Sequence, residues 1–231
     1  MRHFHEQLQE LLQKIVIMGT ITESMIQLAV NGLVKRNESH YDDVFEKENE
    51  VNRLQVEVDD TAVKLTARQQ PVAQDVRFLF MASRIGGELE RIADQAINIC
   101  QNARHVIEAP PLRPLVELPI MAELAQKMVR DSLTAMIQRD VSQAAVVLEE
   151  ENKVDAFRNQ IFATLMEWMK QDPTAIERAL SLILIARNLE RIGDHATNIA
   201  EEVIYWIQGR DVRHGGSFPS AGAPQSGEET A

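Results

Sequence analysis

A chain of 231 residues with 45% apolar and 26% charged side chains can bury one large core or two smaller ones without metals or disulfides to hold it together. Its single cysteine, Cys100, excludes an intramolecular disulfide framework. A formal net charge of −11, from 24 basic against 35 acidic side chains, makes nucleic acid a poor partner and favours a metal, a cation or the basic face of another protein.

The N-terminal stretch MRHFHEQLQELLQK lacks the apolar run and small-residue cleavage site of a secretory signal. Apolar runs such as Ile15 to Met18 and Leu182 to Ala186 fall far short of the roughly 20 residues of a membrane span, so a cytoplasmic chain is expected. Apolar residues recur at three and four spacing from Phe4 to Arg36, from His40 to Arg68 and from Val72 to Ile107, which predicts three long helices. Turn formers in RNESHYDD and a proline in RQQPVAQD separate them. EAPPLRPLVELP then places four prolines between Ala109 and Pro119, where a link between two units is expected. Three further helices follow, over Ile120 to Arg139, Val141 to Lys170 and Thr174 to Gln208. The rest is rich in Gly, Ser and Pro and reads as a disordered tail.

The halves repeat one another. FEKENEVNRL (45 to 54) aligns with LEEENKVDAF (148 to 157) at an offset of 103, which also puts Met25 over Met128, and LERIAD (89 to 94) aligns with LERIGD (189 to 194) at an offset of 100. The expected fold is therefore all-α, two tandem three-helix bundles: 1–108, a Pro-rich linker over 109–119, 120–208, and a tail over 209–231. In the third helix of each unit, Leu189, Gly193, Ala196, Ala200, Val203 and Ile207 match Leu89, Ala93, Ala96, Cys100, Ala103 and Ile107 in alternating four and three steps. That is a packing seam, with small residues that admit a close neighbour and Ile192 and Ile92 widening its apolar face.

On the flank of the seam lie carboxylate pairs. Glu90 with Asp94 and Glu190 with Asp194 are each one helical turn apart, where like charges repel unless water or a cation intervenes. Glu151 and Asp155 form a third pair, and Glu48 with Asn52 is its first-half counterpart with one carboxylate replaced by an amide. Asn98 and Asn198 add neutral oxygens one turn further along. Such pairs are common on solvated helix faces. As ligands, oxygen donors without histidine or cysteine favour magnesium, manganese, calcium or iron over a structural zinc. Arg91 and Arg191, beside the glutamates, are expected to pair with carboxylates across helix interfaces. The six histidines form no i, i+4 pair, so the two Glu-xxx-His turns of a buried di-iron bundle are missing. No phosphate loop, nucleophile elbow or CxxC is present, and no catalytic residue is assigned.

The run NLERIGDHATNIAEEVIYWIQG at 188 to 209 resembles the signature helix of the PhoU family of phosphate-uptake and phosphate-signalling regulators, and ELERIADQAINICQNARHVIE at 88 to 108 resembles its first-repeat version. The resemblance implies a cytosolic, often homodimeric, non-enzymatic regulator. Such a regulator acts with the ATPase subunit of the phosphate ABC transporter and with a membrane sensor histidine kinase, touching membrane complexes only peripherally, and restrains phosphate uptake and the starvation response. It also implies iron, zinc, magnesium or manganese on surface carboxylates, here Glu90, Asp94, Glu190, Asp194, Glu151, Asp155, Glu48 and Asn52. Asn52 and Ala93 depart from the family pattern. Two other readings stay open from the residues alone: a metal-free helical scaffold, and a carboxylate-bridged metalloenzyme.

Overall fold

The structure is a computed structural model that describes residues 2–69, 71–110, 112, 115–210 and 212. Apart from 209, 210 and 212, the expected tail lies outside the described residues. Six α-helices follow in order: α1 (Arg2–Lys35), α2 (Ser39–Gln69), α3 (Ala73–Ile107), α4 (Glu117–Gln138), α5 (Val141–Gln171) and α6 (Ile176–Gln208), with a 3-10 turn (Pro173–Ala175) before the last. Among the described residues there is no strand. The spacing of apolar residues therefore locates every helix. The largest difference is at α4, which starts at Glu117 within the stretch expected to be linker. Pro119 is its third residue, where a backbone N–H would have no partner inside the helix, so the ring does no harm there.

Two repeated devices turn the chain between the first and second helix of each unit. Arg36 and Arg139, 103 positions apart, both take the left-handed conformation, with φ of 52° and 53°. Each then reaches the far end of its unit's third helix: Arg36 donates to the carbonyls of Val106, Ile107 and Ala109, and Arg139 stacks on the Trp206 ring at 4.7 Å. The next residues, Asn37 and Asp140, accept from the first backbone N–H groups beyond the turn, at Ser39 for Asn37 and at Ser142 and Gln143 for Asp140.

The units pack face to face. α1 and α3 lie against α4 and α6, whereas α2 touches only α1 and α3, and α5 touches α4, α6 and the short turn. The central four helices thus form the core and α2 and α5 its flanks. α3 and α6 run antiparallel, as the pairing of Arg84 with Glu202, Glu88 with His195 and Phe78 with Trp206 shows. The repeat register puts the centre of that crossing at the LERIAD and LERIGD motifs, on a pseudo-twofold axis. Every expected seam residue from Leu89 to Ala103 and from Leu189 to Val203 is buried. Ile92 and Ile192 are fully buried, and each such side chain contributes about 1.5–3 kcal/mol.

Gly193 is not where the backbone is most confined. A Cβ there would stand 3.5 Å from Val154 and 3.7 Å from Met128, ordinary contact distances. Gly32 and Gly19 are the tight positions: a Cβ would fall 2.2 Å from the buried Tyr41 ring and 2.2 Å from Leu133 respectively. The repeat exchanges volume at these points. Where the first unit pairs Gly32 with Tyr41, the second has Ala135 with Ala144, and all four are buried.

Candidate docking face with two carboxylate patches

Helices α2, α3, α6 and α5 are successive neighbours across one side of the molecule. Four-residue spacing sets Glu90 and Asp94 one turn apart on α3, and α2 brings Glu48 close enough for its charge to act on Glu90. Glu90 is held above the usual carboxylate range by partial burial and by the charges of Asp94 and Glu48, against the pull of Arg91 and of His195 from α6. Asn52, the amide in this set, has a buried Oδ1 with no hydrogen-bond partner among the described residues.

The equivalent patch lies between α5 and α6 and joins all four expected carboxylates. Glu151 is raised by partial burial and by Asp194, Asp155 and Glu190. Burial raises Glu190 too, and Asp194 and Asp155 add to it against Arg158 and Arg187. For Asp194, burial and Asp155 outweigh His195, Arg158 and Arg191. In each patch partial burial first, and the neighbouring carboxylates second, disfavour the charged form.

The patches differ in how cations enter them. Arg158 of α5 donates to Glu190 at 2.7 Å and stands 3.6 Å from Asp155. Its first-unit counterpart is Gln55, which donates to Asp59 instead. Arg158 is thus the helix-bridging cation that sequence spacing assigned to Arg91 and Arg191. Arg91 turns to Glu88 of its own helix at 2.9 Å, and Arg191 is exposed, with no hydrogen bond or ion pair among the described residues. Sequence reasoning missed Arg158 because its role depends on the register of α5 against α6.

A second missed group bridges the two units. Glu88 of α3 accepts from Asn198 at 3.0 Å and pairs with His195 Nδ1 at 2.8 Å, both from α6. Asn198 therefore faces Glu88 across the α3–α6 contact. Burial works to raise the Glu88 pKa, but the hydrogen bonds from His195 and Asn198 and the charges of His195 and Arg91 outweigh it and hold it below the usual range. The positions related by the pseudo-twofold are Asn188 and Gln95, both buried and uncharged. That exchange of a glutamate and a histidine for two amides is visible in the repeat alignment and was the available signal.

Among the described residues no three histidine, cysteine or carboxylate side chains converge closely enough to hold a metal ion. The α2–α3 patch offers the oxygen chemistry a hard cation takes, in Glu48, Glu90, Asp94 and the Asn52 amide, but its carboxylates do not close on one point. In the α5–α6 patch, the Arg158 guanidinium occupies the place between Asp155 and Glu190.

Comparison with known proteins agrees with this duplicated architecture. The PhoU domain model matches twice, over residues 15–103 and 118–203. The phosphate-specific transport system accessory protein PhoU homolog of Pseudomonas aeruginosa is 35% identical over 214 residues, 92% of this chain and 88% of that protein. The corresponding PhoU of Escherichia coli K12 is 31% identical over 213 residues, again 92% and 88%. The crystal structure of PhoU from Pseudomonas aeruginosa superposes with a TM-score of 0.86 at 34% identity, covering 90% of this chain and 100% of that one. A phosphate transport system regulatory protein PhoU from Streptococcus pneumoniae shares the fold at a TM-score of 0.84 and 22% identity, covering 90% and 99%. Two domain matches, one on each three-helix unit, and relatives aligned along nearly the whole chain show that it belongs to the PhoU family.

Proposed function

We propose that this chain is an accessory regulator of phosphate transport that works by docking, with the α2–α3–α6–α5 face as its contact surface. Family membership supports the process. The observation that supports the face is the grouping of Glu48, Glu90 and Asp94 between α2 and α3 and of Glu151, Asp155, Glu190 and Asp194 between α5 and α6, close enough that the carboxylates of each group act on one another. A partner presenting Lys or Arg, or a bound cation, supplies the opposite charge. The partners in this reading are the ATPase subunit of the phosphate transporter and the sensor histidine kinase. Occupancy by this chain would restrain uptake and keep the starvation response off. No catalytic step is part of the reading.

Metal ions enter as modulators of the same face. Glu48, Asn52, Glu90 and Asp94 would hold one set, and Glu151, Asp155, Glu190 and Asp194 the other once Arg158 swings aside. Bound metal would supply positive charge and so reset the charge a partner meets. The test is a pull-down from cells grown in high phosphate, using the wild-type chain and a variant carrying Glu90→Gln, Asp94→Asn, Glu190→Gln and Asp194→Asn. The variant should lose transporter and kinase components and leave the starvation response on. Retention of both partners by the variant would overturn the proposed face.

A further inference from the structure

Both carboxylate patches continue along their helices into exposed apolar grooves. Between α2 and α3 lies a groove of about 590 Å³ lined by Ala62, Val63, Ala67, Leu79 and Phe80 with Asp59 at its rim. Val63 is 68% and Phe80 57% exposed. Between α5 and α6, Phe162, Ile183 and Ala186 line a groove of about 390 Å³ beside Arg158 and Arg187. Met166, Leu180 and Leu184 extend the apolar surface beyond it, with Leu180 51% exposed.

The repeat register relates an exposed apolar pair at the end of each groove, although the α5–α6 groove itself sits closer to the carboxylates than the α2–α3 groove. Met166 follows Val63 by 103 positions and Leu180 follows Phe80 by 100, the offsets that align the helices themselves. One large apolar side chain in water needs no explanation, but the same pair left open in both units does. The surrounding positions have diverged, with Asp59 answered by Phe162 and Arg84 by Leu184. Gly87 lies on α3 between the apolar end and Glu90. It sits in mid-helix, where glycine is disfavoured against alanine, and a Cβ there would meet nothing within 4 Å among the described residues. No packing among the described residues requires it, and it leaves room for a visiting backbone.

From Phe80 to Asp94 the α3 axis rises roughly 21 Å, the length of an α-helix of about 14 residues. We propose that each groove receives one amphipathic helix from a partner protein, its apolar face on the Val63–Phe80 or Met166–Leu180 end and its Lys or Arg side chains at the carboxylates. We infer further that the partner is two-fold symmetric and supplies one helix to each groove across the pseudo-twofold axis. This rests on the docking reading and gives it a partner chemistry. An anionic membrane surface or a second copy of this acidic face would set negative charge against the carboxylates, whereas a cationic helix complements them.

The test uses the full chain and a synthetic 15-residue Leu/Lys peptide patterned as an amphipathic helix with its lysines at one end. Calorimetric titration should find two peptides per chain. Val63→Asp with Phe80→Asp should remove one site, and Met166→Asp with Leu180→Asp the other. The milder Phe80→Ser and Leu180→Ser, which alter only exposed side chains, should each weaken one site about tenfold. Two copies of the peptide joined by a Gly/Ser linker should bind one to one and at least about 100-fold tighter.

Equal binding of a scrambled peptide of the same composition would overturn the grooves, as would two sites surviving in both double variants. Absence of a gain from linking would overturn the symmetric partner. A chain that sediments as a dimer alone, and as a monomer in the groove variants, would make the grooves a contact between copies and overturn the proposal. The assay contains no phosphate-transport component, so its failure leaves the regulatory reading to the pull-down.

Discussion

At position 193 the nearest atoms a methyl group would meet belong to Val154 and Met128, at ordinary contact distance, while the helix would lose its most flexible residue. Gly193→Ala is therefore expected to stabilise the chain by up to about 1 kcal/mol. Gly32→Ala should do the reverse, by about 1–3 kcal/mol, because the new methyl would overlap the buried Tyr41 ring. Urea midpoints at constant m distinguish the two. Titration separates the acidic residues just as sharply. Glu88 has a lowered folded pKa, so its stabilisation is complete above the usual carboxylate range and fades as pH falls through the folded value. Glu88→Gln should cost stability at neutral pH and lose its effect in acid. Glu151 has a raised pKa, so its contribution is complete below the usual range and is lost as pH rises through the folded value. Glu151→Gln should stabilise slightly at neutral pH, because water screens this exposed carboxylate, with no gain at low pH. Unfolding curves across pH would refute the assignment if the two variants shared a sign.

Helix boundaries were legible because three and four spacing is a direct image of which side chains face the core, and turn residues punctuate it. The start of α4 is not legible from the proline run, because a proline in the first turn of a helix, like Pro119, replaces an N–H that has no acceptor. The turn devices were missed for another reason: nothing local marks Arg36 and Arg139 as left-handed residues, and their partners lie some 70 positions away at the end of the third helix. Asp140 is the stronger of the two caps, accepting from two N–H groups. Asp140→Ala should cost about 1 kcal/mol, and Asp140→Asn much less, because the amide oxygen can still cap. Thermal melts of the two variants check this, and equal losses would mean the charge and not the hydrogen bond matters. The carboxylate pairs were legible from four-residue spacing on a single helix. Arg158 and the Glu88–His195 pair were not, because both depend on how one helix slides against another.

At the scale of the whole molecule, the pseudo-twofold makes two patches from one template and then sets them apart, with Asp155 and Arg158 in one where Asn52 and Gln55 stand in the other. With Arg158 between Asp155 and Glu190, the α5–α6 patch should take up Mn²⁺ less readily than the α2–α3 patch, which has Gln55 at that position. Arg158→Ala should strengthen Mn²⁺ binding, and Glu90→Gln with Asp94→Asn should abolish the tighter site of the wild type. Calorimetry with Mn²⁺ alone would reject the ranking if Arg158→Ala left binding unchanged. The fusion of the two units has a further consequence at the α3–α6 crossing. Were the same contact made by two identical half-length chains, any substitution in it would be installed twice, and Glu88 could face His195 only if a second such pair formed opposite. In one continuous chain each position mutates alone, so the crossing carries Glu88 with His195 on one side and Asn188 with Gln95 on the other. Covalent linkage thus made this interface evolvable one side at a time, and it fixes which unit meets which within the folded chain.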